Sequence, residues 1–147
     1  MSDVNVLIWA TAISTNSTTG RKIFWRFPKT LHPAFATQSL PDRVIIVWKY
    51  ESENGQPQSE THQGMNLLED LLEPMTEGGK FATLALVSTG EGLREWTYYS
   101  KSADVFLDRF NALETEGEAE FPIELHAAKD PEWSMYKEFM TGLKEPS

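Results

Sequence analysis

RVIIVWKY, residues Arg43 to Tyr50, is the strongest strand signal in the chain. Side chains alternate across a strand, so Val44, Ile46, Trp48 and Tyr50 fall on one side and Ile45 and Val47 on the other. Both sides are apolar. A strand with one wet face would alternate apolar with polar, so this pattern predicts a central strand covered on both faces.

Reading downstream, Asn54-Gly55 and Pro57 mark a loop. From Glu60 to Met75 the period changes: Met65, Leu68, Leu72 and Met75 recur at three and four residues, widened by Leu67 and Leu71, with Glu69, Asp70 and Glu73 on the wet side. That spacing predicts a helix ended by Gly78-Gly79. Lys80 to Ser88 reads as a strand, Thr89-Gly90-Glu91-Gly92 as a hairpin turn, and Leu93 to Ser100 (LREWTYYS) as the returning strand. In it, Trp96 and Tyr98 share one face and Tyr99 takes the other. Ser102 is placed to cap a second helix, with Asp104 in its first turn and Phe106, Phe110 and Leu113 as its stripe. Gly117 and the acidic loop at 114–120 end it. Pro122 to Ala128 predicts a short strand. Asp130-Pro131-Glu132 predicts a helix start, with a capping carboxylate, proline at the first helical position and an acid after it. Trp133, Tyr136 and Met140, with Phe139, form that helix's apolar seam.

Upstream, Val4 to Ile13 and Ile23 to Phe27 read as two strands of a hairpin joined by STNSTTGRK. The segment from Phe27 to Asp42, with Pro28, Pro33 and Pro41, reads as an irregular connector. The expectation is therefore a single α+β domain over 1–147: an N-terminal β-hairpin and connector at 1–42, then an α+β core at 43–141. The core order, strand-helix-strand-strand-helix-strand, predicts a ferredoxin-like βαββαβ antiparallel sheet with both helices on one face and a C-terminal helix after it. Such a plan leaves the second sheet face to be covered by the hairpin, the last helix or a second subunit, or to bind something.

Composition bounds the function. The 147 residues are 40% hydrophobic and 24% charged, a globular balance. There is no cysteine, which excludes disulfides, a thiol nucleophile and thiolate metal sites, and fits a cytoplasmic location. No apolar run is long enough to cross a membrane, and MSDVNVLIWATA lacks the basic start of a secretory signal. The net charge of −9 opposes direct nucleic-acid binding. It is compatible with a basic protein partner, although solubility alone accounts for it more simply.

Catalytic patterns are sparse. His32, His62 and His126 do not match a metal motif, so no metal or cofactor is expected. No nucleophile elbow, Walker lysine, dinucleotide glycine pattern or calcium loop is present. An enzyme of unrecognised type would have to use His62 or His126 with a neighbouring carboxylate. The set with more to offer is Trp48, Arg94, Trp96 and Tyr98. Arg94, Trp96 and Tyr98 alternate and so share a face; whether Trp48 joins them is open from sequence. Arginine among aromatic rings can grip a carboxylate or phosphate, and Trp, Tyr and Arg anchor protein interfaces. The competing reading is that the rings are core and Arg94 covers an edge.

The WKY strand, the NGQP loop, REWTYYS and DPEWSMYKEF resemble a bacterial family of domains of unknown function, number 695, over roughly Arg43 to Phe139. The resemblance implies no catalytic residue. Relatives beside a domain similar to the regulator of ribonuclease E activity B imply regulation by protein contact. The expectation is a non-enzymatic regulatory or protein-interaction module, with a small-ligand (anionic) binding protein as the alternative, Arg94 gripping the anion. A homodimer through the aromatic sheet face fits the first reading.

Overall fold

A computed structural model describes residues 9–15, 17–28, 40–76, 81–117 and 121–142. Six strands and three helices alternate along these segments: β1 (Trp9–Thr15), β2 (Lys22–Pro28), β3 (Asp42–Lys49), α1 (Ser59–Thr76), β4 (Ala82–Gly90), β5 (Leu93–Ser100), α2 (Ala103–Glu116), β6 (Ile123–Lys129) and α3 (Ser134–Gly142). All strands join one antiparallel sheet in the order β1-β2-β4-β5-β3-β6. The four-stranded sheet with a separate hairpin is thereby corrected: the hairpin is the sheet's own extension. Only Phe24, Trp25 and Arg26 pair with β4, a short contact between segments far apart in sequence. The connector at 29–39, His32, Gly78-Gly79, residues 4–8 of the first predicted strand and part of the acidic loop lie outside the described residues.

The β3 strand lies between β5 and β6, the central position expected of it; on its second face Val47 is buried and Ile45 half-buried. Val44, Ile46 and Trp48 meet Met65, Leu68 and Leu72 of α1 and Phe106 and Phe110 of α2 in the main core, all buried. Removing one such leucine would cost about 2–5 kcal/mol through lost transfer energy and the cavity left behind. Gly64 lets α1 sit close to the sheet: a Cβ there would lie 3.2 Å from the Trp48 ring. The second sheet face carries α3, where Leu40, Ala85, Tyr99, Trp133 and Tyr136 form a smaller cluster and Phe139 packs on Trp25 and Phe27.

Local chemistry sets the ends. The β4–β5 turn uses Glu91 (φ 57°) and Gly92 (φ 76°), the positive-φ pair of a type I′ hairpin. Ser102 caps α2 by accepting from the Val105 amide. Buried Asp42 accepts from the next amide, Ala103 (2.8 Å), and from Lys129 Nζ (2.7 Å). Strand β4 carries a bulge between Leu84, opposite Tyr98, and Leu86, opposite Thr97, leaving Ala85 as the extra residue.

The third helix starts later than DPE predicts. Asp130 to Trp133 form a turn, closed by the Trp133 amide donating to the Asp130 carbonyl (2.9 Å), with Trp133 left-handed at φ 57°. The Asp130 carboxylate still caps, but from that turn: it accepts from the Ser134 (2.8 Å) and Met135 (3.2 Å) amides. Tyr99 donates to it at 2.7 Å and Arg43 at 3.3 Å. Burial raises the pKa of Asp130, but the Tyr99 hydroxyl, the two amides and the Arg43 charge outweigh it and hold the group below the ordinary carboxylate range. Trp133 stacks on Tyr99 with centroids 4.2 Å apart and planes 8° off parallel. REWTYYS and DPEW, distant in sequence, are thus two halves of one packed cluster.

Candidate functional site

Cross-strand register decides the placement of the aromatic set. Trp48 lies opposite Arg94, Ile46 opposite Trp96, and Val44 opposite Tyr98. Trp48 therefore shares the face of the other three, the face beneath α1 and α2. All four are buried: Trp96 is 0% exposed, Tyr98 2%, and Trp48 and Arg94 7% each. They do not meet solvent as an open aromatic surface. Trp48 packs on Trp96 and Phe121, and Tyr98 on Phe106. Burial pushes the Tyr98 hydroxyl well above its ordinary pKa, and the Glu69 charge adds to this.

A carboxylate ties one member of this set, Trp96, to α1. Glu69 Oε1 on α1 accepts from Trp96 Nε1 at 2.8 Å and also pairs with the Arg26 guanidinium of β2. Arg94 donates through Nε to Thr89 Oγ1 at 2.7 Å, and its guanidinium lies 5.6 Å from the Trp96 ring. Desolvation lowers the pKa of Arg94, partly offset by Glu69, yet guanidinium stays charged throughout the physiological range. The sheet continues past α1 at this point. Trp9, Ile13 and Phe24 stand on the same face of β1 and β2, by the pairing of Ile13 with Phe24 and of Thr11 with Arg26. They are 39%, 59% and 41% exposed. The Arg26 guanidinium lies 5.6 Å from the Trp9 ring, so one arginine links the half-buried Glu69 carboxylate to the exposed aromatic strip.

Such a strip can bury apolar surface against another molecule; it supplies neither nucleophile nor general base. The histidines stand elsewhere. His62 is exposed on α1. His126, exposed on β6, lies 3.3 Å from Glu124, which also pairs with Lys49 at 3.5 Å in solvent. Among the described residues, no three His, Asp or Glu side chains converge as metal ligands would. An open depression of about 680 Å³ over loop 51–58 and one of about 380 Å³ at α3 include none of the aromatic set.

Glu69, Arg26 and Trp9 are the participants that sequence reasoning missed. Helical spacing alone places Glu69 on the wet side with Asp70 and Glu73. Its spacing held a signal: it follows Met65 by four residues and precedes Leu72 by three, at the border of the buried stripe.

A family model described as a family of unknown function, DUF695, matches residues 9–141. No curated protein matches the chain.

Proposed function

The chain belongs to DUF695, and from that premise we propose that it is a non-enzymatic interaction module whose contact surface is the strip of sheet beyond α1. The observation that carries this reading is the exposure of Trp9, Ile13 and Phe24 on one continuous face, beside an Arg26 already held by Glu69. Aromatic and aliphatic anchors beside a fixed arginine are what binding surfaces are made of. Trp48, Arg94, Trp96 and Tyr98 enter the reading as the buried base that fixes α1, and so Glu69, against the sheet. A β4-β5-β3-β6 order within the sheet supports a ferredoxin-like core under this surface. Absence of cysteine supports a cytoplasmic setting.

The test is quantitative capture from native bacterial lysate with the wild type and Phe24→Glu, both shown folded by circular dichroism. A protein recovered by wild type and lost by the variant supports the module. Equal recovery by both sinks the assignment of this surface.

A second reading, a small-anion binder, is favoured by one observation: Arg94 is buried, yet among the described residues its side-chain hydrogen bonding runs through Nε alone. Its terminal nitrogens could serve an anion. A rise in thermal midpoint with phosphate or a carboxylate, lost in Arg94→Met, would support it.

A further inference from the structure

The two edges of the sheet differ in a way that names a partner. At one edge, β6 (IELHAAK) carries Glu124, His126 and Lys129, all exposed. Charges of this kind protect an edge, because pairing another strand there would desolvate them. At the other edge, β1 (WATAIST) has no charged residue over seven positions, and among the described residues it pairs only with β2. It carries exposed Trp9 and Ile13. Among the described residues this edge is unprotected, and unpaired strand edges are templates for strand addition.

We propose that β1 pairs antiparallel with β1 of a second copy of this chain, about a two-fold axis at Ala12, to make one continuous sheet. The inference rests on the interaction-module reading and adds a second copy as one partner of that surface. With the axis at Ala12, Trp9 lies opposite Thr15, Ala10 opposite Ser14, and Thr11 opposite Ile13 of the other copy. No pair brings like charges together. Residues directly opposite share a face, so the exposed strips of the two copies merge into one, and the axis falls on a small side chain.

Charge decides against the other occupant. The chain carries −9 overall, yet the ionisable groups nearest this edge on β2 are Lys22 and Arg26. A basic partner would find no carboxylate on β1. Two copies meet without opposing acids. Their β2 strands would stand three strand spacings apart, about 14 Å, beyond the screening length of about 10 Å at moderate salt. An interface built on one seven-residue strand pair is smaller than the roughly 1,600 Å² of a standard complex, so the dimer is reversible.

The test is light scattering on the full chain as it elutes from a sizing column, between about 5 and 200 µM, a range that resolves micromolar association. The wild-type mass is expected to climb from 16.7 kDa towards twice that value. Ile13→Lys, which gives β1 the protection β6 has, is expected to stay at the monomer mass, and Ile13→Thr to follow wild type. Should Ile13→Lys fail to fold, Thr11→Glu replaces it: Thr11 faces Arg26 within the chain, so the new acid has a partner there, but across the axis it meets Ile13. A wild type that stays monomeric throughout, or a folded charged variant that dimerises as readily as wild type, overturns the proposal. If the wild type is monomeric while lysate capture still depends on Phe24, only the self-pairing falls and the module reading stands.

Discussion

Trp96 Nε1 on the central strand β5 and Glu69 Oε1 on α1 are joined by a 2.8 Å hydrogen bond, and Arg26 of β2 reaches the same oxygen. One carboxylate thus ties helix, sheet centre and sheet extension together. Glu69→Ala leaves a fully buried indole N–H without its acceptor and should cost about 1–3 kcal/mol. Glu69→Gln keeps an acceptor while losing the ion pair and should cost less. Urea denaturation checks both; two unchanged midpoints would show that the bond is dispensable.

The extension is held to the core through a tight crossing. A Cβ at Gly90 would lie 2.7 Å from the Lys22 carbonyl oxygen and 2.9 Å from the Ile23 Cα, both backbone atoms. Gly90→Ala should therefore push β2 from β4 and cost about 1–3 kcal/mol. Amide exchange in β1 and β2 should quicken more than in β3. Uniform exchange across all strands would count against a local effect.

Acid should unfold the protein partly through Asp130 and Asp42. Burial opposes the charge of each. Hydrogen bonds and cations overcome it, so both are held below the ordinary carboxylate value: Asp130 by Tyr99, two amides and Arg43, Asp42 by Lys129 and the Ala103 amide. A group with a depressed folded-state pKa contributes stability that is full above its unfolded pKa, about 3.9, and is lost as pH falls through the folded value. Stability measured from pH 7 downward should drop below about pH 4. The gap between wild type and Asp130→Asn should narrow over that same window. A constant gap would mean that Asp130 contributes no pH dependence.

Tyr99 and Asp130 join the two motifs REWTYYS and DPEW. Tyr99→Phe keeps the ring that stacks on Trp133 but removes the hydroxyl donated to a buried carboxylate. The expected cost is about 1.5–3 kcal/mol, the range for hydrogen bonds to charged groups. In a double-mutant cycle with Asp130→Asn the two losses should fall short of additive. Strict additivity would separate the two groups.

Much of the fold was legible because it is written locally. The period-two run at Arg43–Tyr50, the stripe from Met65 to Met75, the Gly-rich turn at Glu91 and the Ser102 cap each state their own structure within a few residues. The start of α3 misled because Asp130 caps from four and five residues back, through a left-handed Trp133 that DPE does not announce. The joining of the hairpin to the sheet misled because it rests on three residue pairs more than sixty positions apart. The aromatic set was found, but not its burial, which depends on where α1 lies. Glu69 went unrecognised because its partners, Arg26 and Trp96, are brought to it only by the packing of three elements.

The bulge at Ala85 bears on how this chain could change in length. Before it, Leu84 faces the same side as Tyr98; after it, Val87 faces the same side as Trp96, three positions on rather than two. The apolar pattern of β4 slips phase at that one residue. Losing Ala85 would restore a regular ladder with both halves of the strand still facing their proper sides, at the expense of one methyl group in the cluster under α3. Losing a residue elsewhere in β4 would turn part of the strand inside out. Ala85 is therefore where a shortened homologue would be expected to carry its gap.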